Sequence, residues 1–397
     1  MIDIDENRHE GYLAGKTVVV GATASISVYR LPDIIRELRR EGAEVIVGAS
    51  RETLELLGEK LLHWASEHGV IKEISGEIEH INLFIGKKAE VGLLVAPATY
   101  NFIGKAASGV ADDVPSLFFS FALGNGNPVV MVPAMHEAMY SNSVAKRNME
   151  ELARNGVSFV PPRLAAEKAK ISEPEIVVDY VCRSLGPNSL SGIKALVIGG
   201  AGSEMIDPVR SITNASTGLT GVWFCKNLFR EGCNTIWYIG NSEFPVPGYV
   251  KHLPAKSMAE FTDRTLTALE ELKPDIVLCP AALPDFRPEK QYDHKIDSDS
   301  DIQINLKRNL KLLEEIRKRF DGILVSFKLD NETPSARGLR GKEFIVYNSY
   351  VRDGSPFGAV KNDYTLITAD EKIRLGKISK PRMTLEVIRR VMGELNG

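Results

Sequence analysis

Two stretches of this chain combine small residues and hydroxyls where a β-strand should run into a helix. The first is GATASIS at 21–27. Short side chains there let backbone N–H groups and a helix N-terminus meet a phosphate. An ordinary strand–helix turn with a serine cap explains the same residues, so the stretch alone leaves both readings open. The second is GGAGSEMIDPVRSITNASTGLTG at 199–221. Gly199 and Gly200 open it, and glycines permit positive φ and close approach of backbone to phosphate. A glycine turn without ligand accounts for G-G-A-G but not for all 23 residues. His80 carries the side chain best poised to move protons near neutral pH; taken alone, a histidine is more often a satisfied core or surface group. Cys182, Cys225, Cys233 and Cys279 are scattered, with no C-x-x-C pair and no histidines at metal-ligand spacing. They read as buried free thiols rather than zinc ligands or disulfides.

The elements around these stretches alternate. KTVVVG (16–21) is a β-branched run ending in glycine, the profile of a buried parallel strand. A helical stretch follows at 26–41, then EVIVG (44–48), VGLLVAP (91–97), a helical segment and PVVMVPAM (128–135). This alternation predicts a doubly wound parallel sheet. Turn formers in GPNSLSG (186–192) read as a linker. The pattern then restarts with KALVIGGAG (194–202), NTIWYIG (234–240), PDIVLCPAA (274–282), GILVSFK (322–328) and EFIVYN (343–348). The acidic DHKIDSDSDIQ (293–303) suits a solvated surface loop. The fold expected is α/β, two doubly wound Rossmann-like domains with mainly parallel sheets, at 1–187 and 188–397.

Composition agrees with that division, since 397 residues exceed one ordinary core. Apolar residues at 44% and charged residues at 25% describe a soluble globular chain. A net charge of −3 gives no reason to expect nucleic acid or a membrane surface. No apolar run reaches the roughly 20 residues of a bilayer span, and the acidic N-terminus lacks the apolar core of a secretory signal. A cytoplasmic protein is expected.

In the N-terminal half, GATASIS is joined by HINL (80–83), VAPATYNFIGKAASGVADD (95–113) and VPAMHEAMYSN (132–142). The later two lie at strand ends, where open α/β sheets bind ligands. Together the four segments resemble the homo-oligomeric flavin-containing cysteine decarboxylases, over about residues 15–180. The resemblance implies FMN, with its phosphate on Thr23, Ser25 and Ser50 and its ring near Pro97, Ala98, Thr99 and Asn101. It makes His80 the catalytic base and puts substrate against Met135 and His136. The flavin would oxidise the substrate's cysteine moiety, ease the loss of CO₂ and return the electrons. The chain departs from the family pattern twice. His136 replaces a carboxylate-binding asparagine, and a histidine can still donate to a carboxylate. Ala166 stands where bacterial members carry a proton-donating cysteine. The segment RLAAEKAK (163–170) offers Lys168 or Lys170 as the acid or as closure of the active-site flap, since a lysine desolvated over a flavin has a lowered pKa; as solvated side chains they would leave the proton to water or the substrate.

In the C-terminal half, 199–221 resembles the signature of phosphopantothenate–cysteine ligases, and AALPDFRPEK (281–290) matches a second family element. The resemblance implies that Gly199, Gly200, Ala282, Asp285 and Phe327 bind nucleotide, CTP in the family and ATP as an alternative. Lys295 would neutralise triphosphate charge, a task suited to an ammonium. The carboxylate of 4′-phosphopantothenate would attack CTP, expel pyrophosphate and form an acyl-cytidylate. Asn214 would orient that intermediate for cysteine, and Arg210 would hold a carboxylate or phosphate of the substrate. Mg²⁺ would accompany the triphosphate.

The chain thus resembles the bifunctional enzymes of coenzyme A biosynthesis, in their archaeal type. Ligation would come first and decarboxylation second, in a homo-oligomer. Trimers through the flavin domains and dimers through the ligase domains would give a dodecamer. Two other readings stand beside this one. The flavin domain could be a non-decarboxylating scaffold for the ligase, as His136 and Ala166 suggest. The chain could also be a flavin-binding interaction protein without catalysis, which the ligase signature opposes.

Overall fold

The computed structural model describes residues 11–75, 78–165, 168–299, 301–336, 339–349 and 361–393. It divides into two compact units, the first ending at Asn188 and the second starting at Ser189.

In the first unit, five parallel strands form the sheet: β1 (Thr17–Ala22), β2 (Glu44–Ala49), β3 (Val91–Ala98), β4 (Val129–Pro133) and β5 (Val157–Phe159). Their order is β2-β1-β3-β4-β5, the doubly wound order of flavodoxin-like sheets. Strand alternation splits β1 between two cores. Val18 and Val20 pack with Ile34, Ile35 and Leu38 of helix Leu31–Arg40. Val19 packs on the opposite face with Phe84, Phe118 and Phe119. The expected helix at 26–41 is two pieces, a 3₁₀ turn at Ile26–Arg30 and helix Leu31–Arg40. Pro32 at the start of the second explains the break, because proline is accommodated in a first helical turn and not inside a helix. The expected strand through 128–135 also ends early, at Pro133. Met135–His136 joins a separate antiparallel sheet with Lys168–Lys170 and Arg163–Ala165, in which His136 pairs with Lys168.

The second unit has an eight-stranded sheet. Its strands are β6 (Lys194–Gly199), β7 (Thr235–Gly240), β8 (Lys251–Leu253), β9 (Ile276–Cys279), β10 (Ile323–Asp330), β11 (Glu343–Ser349), β12 (Lys361–Ile367) and β13 (Lys372–Ser379). The order is β8-β7-β6-β9-β10-β11-β12-β13. Its first six strands are parallel and follow the Rossmann order, while β12 and β13 extend the edge antiparallel. Leu196 and Ile198 of β6 are buried with Phe261, Ala268 and Leu269 of helix Met258–Leu272. All four cysteines are buried thiols outside any disulfide, and burial pushes the Cys279 thiol up to about 12. Among the described residues no helix is long and apolar enough to cross a membrane.

Candidate functional sites

In each unit a cavity opens where the strand order reverses, beyond the carboxyl ends of the strands, as in other open α/β sheets. The first unit's larger cavity has a volume of about 860 Å³ and gathers Thr23, Ser25, Ser50, Thr99, Asn101 and Met135 on its wall. Pro97 and Ala98 are buried at the end of β3 beside it and do not line it.

Local hydrogen bonds hold this rim. The Thr23 hydroxyl donates to the Pro97 carbonyl at 2.7 Å. Thr99 caps helix Tyr100–Ala107, its hydroxyl accepting from the Phe102 N–H at 3.2 Å. Ser50 caps helix Arg51–Leu57 by accepting from the Thr53 N–H at 3.3 Å. The Thr53 hydroxyl in turn donates to the Ala22 carbonyl at 3.0 Å, tying the ends of β1 and β2 together. The Ser25 hydroxyl accepts from the Ser27 N–H at 3.3 Å. On the far wall Lys105 pairs with Asp112 at 2.6 Å and Asp113 at 3.1 Å.

A second cavity, of about 580 Å³, adjoins the first and shares Ser25 and Met135 with it. His136 and Lys170 line this one. Lys168 lies on the same short strand as Lys170, while Ala166 and Glu167 lie outside the described residues. His80, in helix Glu79–Phe84, lines neither cavity and stands edge-on to Phe121 with ring centroids 5.7 Å apart.

The second unit's cavity, of about 650 Å³, brings Asn214, Ala282, Asp285 and Phe327 together. Phe327 is held edge-on by Phe224, centroids 5.8 Å apart. Asp285 pairs with Lys311 at 2.5 Å.

Four expected residues stand elsewhere. Gly200 has φ of +85°, and a Cβ there would come within 1.9 Å of the Asn241 carbonyl oxygen. A Cβ on Gly199 would meet the Tyr238 ring at 2.8 Å. The close approach these glycines permit is therefore made by protein, and neither lines the cavity. The 200–202 turn pairs instead with Ala282, through Ala282 N–H to Gly200 O at 2.9 Å and Gly202 N–H to Ala282 O at 3.0 Å.

Arg210 is also occupied. Its guanidinium donates to Asp207 at 2.7 Å and to the Ile296 carbonyl at 2.9 Å. Burial opposes ionisation of Asp207, but N–H donors from Val209, Ile296 and Arg210, with the guanidinium, hold its carboxyl well below the usual range. Lys295, next to Ile296, is exposed and outside the cavity wall.

The same wall includes Asn348, Asn362, Tyr364 and Lys380, which the sequence reading did not single out. Burial lowers the pKa of Lys380 and raises that of Tyr364. Three of the four come from β12 and the start of helix Lys380–Gly393, beyond the last strand the hydrophobic pattern picked out.

Comparison with known proteins assigns a family to each unit. Residues 6–186 match the family described as Flavoprotein, and residues 190–395 match the DNA/pantothenate metabolism flavoprotein C-terminal domain. The chain is 32% identical over 380 residues to the coenzyme A biosynthesis bifunctional protein CoaBC of Thermococcus kodakarensis, covering 93% of each. It is 32% identical to the Methanocaldococcus jannaschii protein of that name, over 80% of this chain and 77% of the relative. Against the Bacillus subtilis protein the identity is 30%, over 96% and 97%. With a flavoprotein domain and a pantothenate-metabolism domain in tandem, each with a cavity at its sheet's switch point, the chain belongs to the bifunctional CoaBC family of coenzyme A biosynthesis.

Proposed function

We propose that the second unit, residues 188–397, ligates cysteine to 4′-phosphopantothenate and the first, residues 1–187, decarboxylates the product to 4′-phosphopantetheine. The observation that carries this reading is the segregation of the motif residues. Thr23, Ser25, Ser50, Thr99 and Asn101 share one cavity, and Asn214, Ala282, Asp285 and Phe327 share another.

The first cavity suits FMN: hydroxyls of Thr23, Ser25 and Ser50 reach its rim beside the helix that starts at Tyr100. Bound FMN would supply reversible two-electron transfer beside the substrate. The chain's own residues do the rest. Met135 and His136 position substrate at the junction of the two cavities, and Lys168 or Lys170 delivers the proton to carbon. His80 lies off both cavities of its own chain and acts as base on the cavity of a neighbouring copy. That assignment fits a homo-oligomer, trimeric through the first units and dimeric through the second, up to a dodecamer.

In the second unit, Phe327 and Ala282 hold the nucleotide, CTP or ATP, and Asn214 orients the acyl-nucleotide for attack by cysteine. Asp285 is the carboxylate on this wall among the described residues. A triphosphate-bound Mg²⁺ usually takes one or two carboxylates along with phosphate oxygens and water, and Asp285 fits that need. Gly199 and Gly200 shape the turn under Ala282, Arg210 locks its own loop, and Lys295 meets triphosphate from solvent. A cytoplasmic location accompanies these substrates.

The test is to incubate the purified protein with phosphopantothenate, cysteine, Mg²⁺ and either CTP or ATP, and to identify products by mass. Phosphopantetheine and CO₂ are expected with one nucleotide. Absence of both phosphopantothenoylcysteine and phosphopantetheine with either nucleotide would refute the ligase reading.

A further inference from the structure

We propose that the second cavity of the first unit is an anion subsite, built on Arg30 and Arg163, for the phosphomonoester end of the decarboxylation substrate. The identity of the ligand rests on the decarboxylase reading above, whereas the anion site rests on geometry and charge.

The cavity adjoins the larger one through Ser25 and Met135. One elongated ligand can therefore place its reacting end in the larger cavity and its other end here. Charged residues on the wall are Arg30, Arg163, Lys170 and Glu173. Three cations against one carboxylate leave two positive charges, with His136 as a further donor. A phosphomonoester carries about −1.5 to −2 near neutral pH, so the charges match.

Glu173 sets the two guanidinium groups side by side. Its Oε1 accepts from Arg163 Nη1 at 2.5 Å, and its Oε2 accepts from Arg30 Nη2. Each guanidinium has five N–H donors in a rigid fork, so each keeps donors for a ligand. Among the other acids near Arg30, Asp33 lies 3.7 Å from its Nη1 with its side chain 61% exposed, and Glu37 and Glu175 line a separate small cavity that also holds Arg36 and Arg40. The Arg30 side chain is only 27% exposed, so water satisfies its charge incompletely. A shared carboxylate beneath two forks is a receptor for phosphate oxygens, which arginine binds bidentately.

The experiment is calorimetric titration of the full chain with 4′-phosphopantetheine and with pantetheine, which differ only by the phosphate. The phosphorylated compound should bind at least about tenfold more tightly, and Arg30→Met and Arg163→Met should each remove about tenfold of that preference. Glu173→Gln, which removes the competing negative charge and keeps one acceptor oxygen between the two guanidinium groups, should tighten it. Phosphate-dependent binding in the second unit would form a separate class of sites that these substitutions leave alone. A preference that survives both arginine substitutions in folded protein overturns the subsite, as does equal binding of the two compounds. CO₂ release is measured in parallel from phosphopantothenoylcysteine and pantothenoylcysteine. An arginine-dependent phosphate preference without any CO₂ release would refute the decarboxylase reading and leave the subsite standing.

Discussion

Gly48→Ala should loosen the first unit around its larger cavity. Gly48 is the penultimate residue of β2, and a Cβ there would lie 2.3 Å from Phe118 Cε2 and 2.8 Å from Val114 Cγ1. Ordinary contact begins near 3.4 Å, so the overlap with Phe118 exceeds 1 Å. Phe118 and Val114 are 2% and 4% exposed and have little room to retreat. Overpacking of this kind costs about 1–3 kcal/mol. Reduced freedom of the unfolded chain returns about 0.4–1 kcal/mol, so destabilisation wins. Gly104, inside helix Tyr100–Ala107, has nothing within 4 Å of its built Cβ. Gly104→Ala should therefore stabilise by about 0.5–1 kcal/mol. Hydrogen exchange of the peptide spanning β2 reads both changes. The net loss, about 0.5–2 kcal/mol, accelerates exchange about 2- to 30-fold, and Gly104→Ala should slow it. Val114 also lines the cavity, so flavin retention should fall in Gly48→Ala. Equal exchange in wild type and Gly48→Ala, or slower exchange in the variant, would refute the packing argument.

Other outcomes follow from the separate placement of the two sites. His80→Asn should abolish CO₂ release and leave pyrophosphate release unchanged; loss of both in folded protein would contradict two independent sites. Ser25→Glu sets a carboxylate where the flavin phosphate is expected, so flavin absorbance of the purified protein should fall sharply, and undiminished colour would remove Ser25 from that role. Asn214→Asp should slow capture of the acyl-nucleotide by cysteine, so that a nucleotide–pantothenate adduct accumulates in quenched reactions; wild-type ligation rates would remove Asn214 from the site. Asp207 has a folded pKa held below its unfolded value, so its contribution is present above about pH 4 and is lost as pH falls further. Asp207→Asn should lower stability near neutrality and flatten the acid limb of an unfolding profile, and an unchanged limb would contradict the role given to its donors.

Sequence alone determined much of this protein. Runs such as KTVVVG, VGLLVAP and KALVIGG are buried on both faces of their sheets beyond their first residues, and that need dictates their apolar composition. The phosphate-suited turn at 21–27 and the segment at 95–113 meet in one cavity because adjacent parallel strands present their carboxyl ends together. Tertiary structure decided how the charges and the glycines are used. Arg210 reads as a substrate ligand by residue type, yet a buried carboxylate three residues away and a carbonyl at Ile296 occupy it. Gly200 reads as room for a phosphate, yet Asn241 fills that room. Arg30 and Arg163 carry no motif signal, yet the fold brings them to one cavity across more than 130 residues of chain, where Glu173 accepts from both. Lys380 and Tyr364 reach the second site through an antiparallel edge whose half-polar strands conceal it in the hydrophobic pattern. A residue's type states which interactions it can make; partners distant in sequence decide which of them remain free for a ligand.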